Sequence, residues 1–373
     1  MLYRKLGRTG IKVSQLGFGA MRLPMTGEAE AKKVDRQLAI PMIHRAFEAG
    51  VNYIDTAVGY CDEDGQRAVG EALKGWRDKV TVSTKNPYYE QDEQTWWRNL
   101  ENSLQRLNVQ VIDIYSHHGM NKKNWQAVRS HAGRWMQKAK DQGLIRHICC
   151  SFHDDNDLLV ELVGSGYVDV ITLQYNILDR QLEDGIALAN DKGVGVVVMG
   201  PVGGGRLGDH SQVLEGLMPG IRRVPELALR FVLSNPNVSL ALSGMSTMQQ
   251  VQENLAVAGD PVSLSDDDKV RIQEHLARLK GMAELYCTGC GYCLPCPNEV
   301  AIPKVFERYN LGRVYGLWDA ARKRYANIGR RFDQGAKADA CIECGQCEDK
   351  CPQKIPIRQQ LKEAHKALSE KGA

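Results

Sequence analysis

Long apolar runs are missing from this chain. No stretch approaches the roughly 18 uncharged apolar residues that a bilayer-crossing helix needs. The opening segment, Met1-Leu-Tyr-Arg-Lys-Leu-Gly-Arg-Thr-Gly10, has no apolar core of the kind a secretory signal carries. A cytoplasmic protein without a membrane partner is expected. An excess of charge of one sign is also missing. Lys and Arg number 48 against 45 Asp and Glu, a formal charge of +3, which is too little to imply nucleic acid as a partner. Cysteine is scarce before residue 287, where Cys61, Cys149 and Cys150 stand alone, so no disulfide scaffold is expected there. No G-x-G-x-x-G follows the first expected strand, and there is no low-complexity tract.

What remains is an ordinary globular composition, 43% hydrophobic and 25% charged, in 373 residues. That length suits one large domain and one small one. Two short segments, Tyr3–Leu6 and Ile11–Ser14, flank a Gly-Arg-Thr-Gly turn and predict a hairpin. Beyond it, short apolar runs alternate with amphipathic ones. The expected strands are Gln15–Gly19, Asn52–Asp55, Val80–Thr84, Ile112–Ser116, His147–Ser151, Val170–Leu173, Gly195–Met199 and Leu240–Ser243. Expected helices include Ile40–Ala49, Asp92–Leu107, Trp125–Gln142, Leu182–Lys192 and Pro225–Leu233. Eight strands in strict alternation point to an α/β protein with a (β/α)8 TIM barrel over 1–282, rather than to a doubly wound open sheet. Ser265-Asp-Asp-Asp268 reads as a capped start of the helix that ends this domain.

The other eight of the 11 cysteines fall in the last 87 residues. One run is Cys287, Cys290, Cys293 and Cys296 before Pro297; the other is Cys341, Cys344, Cys347 and Cys351 before Pro352. A zinc ribbon is the plain alternative. Two successive C-x-x-C steps followed by a fourth cysteine before proline instead resemble the run that holds a 4Fe-4S cubane, and two such runs predict two clusters. The last gap is three residues before Cys351, as in that run, but two before Cys296, where the match is weaker. In that pattern the fourth cysteine serves the other cluster. Cys287, Cys290, Cys293 and Cys351 would hold one, and Cys341, Cys344, Cys347 and Cys296 the other. Residues 297–340 between the runs are helical in character, with nine basic against five acidic side chains. A small, mostly α-helical ferredoxin-like domain is therefore expected over 283–373.

A barrel carries its chemistry at the C-terminal ends of its strands. There the sequence places Asp55 with Tyr60 just beyond it, Lys85, and His118 beside His117. Ile54-Asp-Thr-Ala-Val-Gly-Tyr60, Ser83-Thr-Lys85 and Asp113-Ile-Tyr-Ser-His-His118 resemble the signatures of the aldo-keto reductases. With Ser151-Phe-His-Asp154 and the cysteine runs, the whole chain resembles a bacterial and archaeal branch of that family fused to ferredoxin-like domains. The resemblance implies a catalytic tetrad of Asp55, Tyr60, Lys85 and His118, and an NAD(P)-dependent oxidoreductase interconverting a small carbonyl compound and its alcohol. The residue types suit that chemistry. A phenol is a poor proton carrier at neutral pH, and a nearby ammonium should pull its pKa down. Asp55 would hold Lys85 in place, and His118 would orient the carbonyl oxygen.

The resemblance also implies a cofactor site. Ser151 and Gln174 would bind the nicotinamide carboxamide. Met199, Gly200, Pro201 and Gly204 would line the pyrophosphate loop. Ser243, Ser246, Gln250, Glu253 and Asn254 would meet the adenosine end. Two departures stand out: Met199 replaces the usual aromatic, and Phe152 the usual asparagine. Gly244 and Gln250 stand where a basic residue often meets the 2′-phosphate, so the reading leans to NAD. Trp96 and Trp97 read as packing and Cys149 and Cys150 as buried apolar groups; for Cys61, next to Tyr60, a place facing the substrate is the less favoured alternative.

One difficulty is visible already. Nicotinamide moves two electrons as hydride while each cluster moves one, and no flavin motif is present to convert between them. Either the clusters are structural, or the substrate or an electron-transfer protein accepts single electrons. A second class of function, a redox-sensing module with little turnover, would have no need of Tyr60 and Lys85 together.

Overall fold

The computed structural model describes residues 1–370 apart from 29–31, 216, 219, 222, 261–263, 285–286, 288–290, 331–332 and 352–353. Cys290 and Pro352 therefore lie outside the described residues. Eight parallel strands close into a barrel. They are β1 (Leu16–Gly19), β2 (Tyr53–Asp55), β3 (Thr81–Asn86), β4 (Ile112–Met120), β5 (Ile145–Phe152), β6 (Val170–Gln174), β7 (Gly195–Met199) and β8 (Leu240–Gly244). β8 pairs with β1, which leaves no open edge. This is the expected TIM barrel, and every expected strand is present within two residues at its start.

Alternation along each strand fixes which side chains fill the interior. Tyr53, Ile114, Cys149, Val170, Val197, Leu240 and Leu242 form the buried centre. The hairpin Tyr3–Lys5 and Lys12–Ser14 adds Leu6 and Val13 to that cluster, both fully buried. Each such side chain contributes roughly 1.5–3 kcal/mol by burial. The hairpin therefore belongs to the barrel's core.

The surrounding helices start where the chain supplies caps. Side-chain oxygens of Asp35, Asp92, Asn121, Asp155 and Thr247 each accept a backbone N–H from the first helical turn. Each such cap contributes about 1 kcal/mol. The cap at Asp35 explains one difference from expectation. The helix spans Arg36–Glu48 rather than starting at Ile40, and Pro41 lies inside it. The expected helix Trp125–Gln142 is instead Lys122–Ala127 and Gly133–Asp141, joined by a π-helical segment over Val128–Ala132. Trp96, Cys149 and Cys150 are fully buried, as packing residues should be.

Compactness divides the chain into residues 1–203 with 228–263 and residues 204–227 with 264–373. This is not the single cut at 282. The helix Asp266–Glu284 does begin on a capping box, with Ser265 and Asp268 exchanging hydrogen bonds of 3.0 and 3.1 Å. It packs, however, on the helix Ile302–Tyr315. Residues 204–227 join the same unit, where Ser211 Oγ donates to the Tyr315 carbonyl at 2.6 Å.

The second unit is mostly helical. Helices Ile302–Tyr315, Trp318–Ala326 and Ile357–Ser369 bury Phe306, Leu317, Ala321, Leu361 and Ala364. Tyr325 OH pairs with His365 Nδ1 at 2.7 Å and accepts the Ala338 N–H, which ties the approach to Cys341 onto the helices.

Candidate active site

All four tetrad positions sit at the C-terminal mouth of the barrel. Asp55 is the last residue of β2, and Lys85 and Ser83 lie on neighbouring β3. Both Asp55 and Lys85 are buried. The Lys85 ammonium donates to Asp55 Oδ2 at 2.5 Å and to the Thr56 carbonyl at 2.9 Å. Ser83 Oγ donates to the other carboxylate oxygen at 2.8 Å. The ammonium lies 4.9 Å from the Tyr60 ring centroid. The His118 ring stands edge-on to Tyr60, 6.2 Å between centroids at 83°. Residues from the ends of three successive strands thus meet over one patch of the mouth.

Electrostatics refines the expectation for Tyr60. Burial pushes the phenol above its ordinary pKa, and the Lys85 charge offsets this only in part. The expected net lowering is not found, because the site is drier than the sequence suggested. Burial also opposes the charge on Lys85, but Asp55 and then Tyr60 outweigh it and leave the ammonium's pKa raised. His118 falls to about 4, through burial first, then Lys85 and His153. At neutral pH the patch holds a protonated phenol, an ammonium and a neutral imidazole.

His117 and His118 separate cleanly. His117 is fully buried, bonded through Nε2 to Tyr167 OH at 2.8 Å and stacked on Tyr89. It belongs to the barrel wall. His118 reaches the mouth because β4 and β5 change register between His117 and Met120. Gly119, at φ 75°, supplies that bulge.

Two features escaped the sequence reading. Cys61, Asp62 and Glu63 all hold left-handed backbone, at φ 54°, 52° and 65°. Three non-glycine residues in that region cost roughly 1–3 kcal/mol each, and such strain gathers at functional sites. The turn carries Tyr60 at its start, where Gly65 N–H bonds the Tyr60 carbonyl at 3.0 Å. No glycine marks it, so residue types gave no signal. Cys61 itself donates weakly to the Ala20 and Met21 carbonyls. The second feature is His153, which bonds Ser151 Oγ through Nε2 at 3.0 Å.

Three of the other expected cofactor residues lie at the C-terminal ends of barrel strands. Ser151 is buried at the end of β5, and Gln174 ends β6. Gln174 Oε1 is buried with no hydrogen-bond partner. That is an acceptor waiting for a donor, since a buried orphan costs about 1–3 kcal/mol. Met199 ends β7, and Gly200 turns left-handed at φ 64° directly against Gln174. A Cβ at Gly200 would fall 2.2 Å from Gln174 Oε1 and would push that amide aside, besides being strained at this φ. Pro201 follows it, buried, and Gly204 is also left-handed at φ 66°.

At the end of β8, Ser243 points away from the barrel interior and accepts from Asn254 at 2.9 Å. Gln250 Oε1 accepts the Ser246 N–H at 2.8 Å, and Glu253 accepts from Gln249. These are three separate contacts within residues 243–254. One cation stands close by: the aliphatic stem of Arg22 lies 3.4 Å from where a Cβ on Gly244 would be, and Ser246 Oγ donates to the Arg22 carbonyl at 2.8 Å. Arg22 follows β1, too far in sequence for the pocket reading to have included it.

In the second unit, Cys293, Cys296, Cys341, Cys344 and Cys347 line a single cleft with Arg358. Cys296 and Cys293 both lie with the later run, although the spacing pattern gave Cys293 to the other cluster; backbone pairing brings their segment there. Val300 bridges Ala336, Ala301 N–H bonds the Ala336 carbonyl at 3.0 Å, and Asn298 Nδ2 reaches the Ala340 carbonyl at 2.9 Å. Cys351 is buried outside this cleft, and Cys287 is half-buried. Among the described residues, no group of His, Cys, Asp or Glu converges tightly enough for a single metal ion. A zinc ribbon needs four thiolates about 2.3 Å from one ion. A cluster of several irons holds its thiolates around a wider core. All the cleft's sulfurs are free of disulfides.

Comparison with known proteins agrees with this geometry. The profile of the Aldo/keto reductase family matches residues 15–222, and that of the 4Fe-4S dicluster domain matches residues 286–355. The chain is 29% identical over 326 residues to the NADH-specific methylglyoxal reductase of Escherichia coli, covering 72% of this chain and 96% of that protein. The solved holo form of aldo-keto reductase AKR11C1 from Bacillus halodurans aligns with a TM-score of 0.63 at 29% identity, over 74% of this chain and 96% of that one. An aldo/keto reductase from Klebsiella pneumoniae, solved with NADP and acetate, aligns with a TM-score of 0.59 at 25% identity, over 70% and 91%. The ferredoxin-like domain stands C-terminal to the barrel, and the chain as a whole belongs to the aldo/keto reductase family.

Proposed function

We propose that this chain is an NAD(P)-dependent reductase of small carbonyl compounds, with Tyr60 as the proton donor. The observation that carries the proposal is the buried Asp55–Lys85 pair beneath the Tyr60 ring, with His118 beside it. The nicotinamide cofactor would supply hydride. Gln174 would hold its carboxamide through the orphaned Oε1, with Ser151 on the neighbouring strand. Met199, Gly200, Pro201 and Gly204 would give a backbone approach to its pyrophosphate, and Ser243, Ser246, Gln250, Glu253 and Asn254 would meet its adenosine end.

Tyr60 keeps its proton at neutral pH because burial outweighs Lys85. It can therefore deliver that proton to an oxygen gaining negative charge. As the proton leaves, the Lys85 ammonium stabilises the phenolate, and Asp55 keeps the ammonium charged and fixed. Neutral His118 donates an N–H to the same oxygen without competing as an acid. In the reverse direction the phenolate takes the alcohol proton.

The Escherichia coli relative's methylglyoxal supports a small carbonyl as substrate. We further propose two 4Fe-4S clusters, one held by Cys341, Cys344, Cys347 and Cys296, the other by Cys287, Cys290, Cys293 and Cys351. Carbonyl reduction moves an electron pair and needs neither of them. The test is a carbonyl screen of anaerobically purified protein with NADH and NADPH. Reduction of at least one small aldehyde or ketone, lost in Tyr60→Phe, is the expected result; oxidation of neither cofactor by any of them is the contrary one.

A further inference from the structure

The tetrad accounts for one oxygen of a substrate, yet the mouth carries a second imidazole that no step above uses. His153 directly follows β5. Its placement comes from the same register change that exposes His118: beyond the bulge Met120 pairs with Phe152, and His153 N–H donates to the Met120 carbonyl at 2.9 Å. Along β5, Cys149 faces the barrel interior, so Ser151 does too, and Phe152 turns outward into packing. The His153 ring returns over the mouth, because Nε2 bonds the inward Ser151 Oγ at 3.0 Å. The Ser151 oxygen also receives the Gly119 N–H at 3.4 Å, which links both imidazole-bearing segments through one hydroxyl.

The ring is exposed, and among the described residues its Nδ1 has no hydrogen-bond partner. The following turn is pinned, since Asp154 accepts the Lys122 N–H at 2.9 Å and Asp155 caps the next helix. His153 is therefore held rather than loose. The surrounding protein, and after it the Lys85 charge, keeps its pKa below the ordinary value, so the ring is neutral at pH 7. A neutral imidazole anchored by one nitrogen offers the other as a single directed hydrogen-bonding group. It stands just beyond the end of the strand that neighbours the one bearing His118.

We propose that His153 is a specificity-determining residue that hydrogen-bonds an oxygen on the carbon beside the reacting carbonyl, so that the preferred substrates are α-hydroxy or α-oxo carbonyl compounds. This rests on the reductase reading above. His118 and Tyr60 take the carbonyl oxygen, and His153 takes its neighbour. A substrate lacking that neighbour leaves the imidazole to water and loses only the added contact.

Lactaldehyde and propanal differ by one α-hydroxyl group and make the matched pair for the test. The wild type should favour lactaldehyde by about tenfold in kcat/KM, the scale of one well-placed hydrogen bond. His153→Leu should bring that ratio close to one, through a higher KM for lactaldehyde and little change for propanal. His153→Gln, which keeps a hydrogen-bonding end group, should restore much of the ratio. NADH affinity, read by fluorescence titration without substrate, should stay within about twofold in both variants. Equal losses on both aldehydes would overturn the inference, as would an unchanged ratio. So would weakened NADH binding, which would assign His153 to the carboxamide instead. A wild type that reduces only carbonyls without an α-oxygen would overturn this inference alone, whereas one that reduces no small aldehyde or ketone at all would sink the reductase reading itself.

Discussion

Removing the charge of Lys85 should separate stability from chemistry. At 2.5 Å, with an effective dielectric near 20, the gross attraction between Lys85 and Asp55 is about 7 kcal/mol. Most of it offsets the desolvation of two side chains that are 2% and 6% exposed. Lys85→Met strands the carboxylate with only Ser83 as donor, and losing one partner of a buried pair costs roughly 3–5 kcal/mol. The double variant Asp55→Asn, Lys85→Met removes both charges, and Ser83 can still donate to the amide oxygen. It should recover most of that loss, to within ~2 kcal/mol of wild type. Turnover should not recover. Both variants lose the cation that stabilises the phenolate, so kcat/KM should stay down by ~10²–10⁴. Urea unfolding followed by far-UV circular dichroism, beside single-turnover rates, reads the two quantities on the same samples. A double variant as unstable as the single one would refute the buried-charge argument, and one that regained activity would refute the role given to Lys85.

Tyr60→Phe should lower turnover by ~10²–10⁴ while NADH titration changes little. The pH profiles should run in opposite senses. Carbonyl reduction needs the protonated phenol, so it holds through neutral pH and falls only above the raised pKa of Tyr60, whereas alcohol oxidation climbs toward that pH. Anaerobic protein should contain about eight iron and eight acid-labile sulfides, and Cys296→Ser should lower both by about half; zinc alone would contradict the cluster assignment. NADH should bind no more than modestly weaker than NADPH, since a missing charged contact forfeits ~10–100-fold of 2′-phosphate selectivity. A hundredfold preference for NADPH that Arg22→Ala abolishes would show that Arg22 supplies the charge absent at Gly244 and Gln250.

The barrel was legible because period and punctuation agree. Short β-branched runs such as Gly195–Met199 sit between amphipathic segments whose caps, Asp92 and Asp155 among them, are written in the sequence. The tetrad positions were legible because a strand end is a fixed place, which put Asp55, Lys85 and His118 on the same rim. Three things were not legible. The net shift at Tyr60 depends on how dry the mouth is, and burial has no sequence spacing. The left-handed turn at Cys61–Glu63 uses residues that do not announce it. His153 and Arg22 reach their places through a strand bulge and a loop after β1, both set by tertiary packing rather than by periodicity. The cysteine runs show the limit of spacing. The cleft puts Cys296 beside the later cysteines, with a backbone bridge at Val300 and Ala336 nearby, but it puts Cys293 there too, which the spacing had assigned to the other cluster.

The central claim is hydride transfer at the barrel mouth with Tyr60 as proton donor. Stopped-flow mixing of an NADH-loaded, anaerobic protein with excess lactaldehyde tests it most directly, because one turnover is followed by the nicotinamide absorbance and the clusters by their own visible bands. The account predicts that the nicotinamide signal decays in a single phase of one equivalent per chain, slows when the transferred hydrogen is deuterium, disappears in Tyr60→Phe, and leaves the cluster bands unchanged. Bleaching of the cluster bands in step with the nicotinamide, or an undiminished rate in Tyr60→Phe, would contradict it.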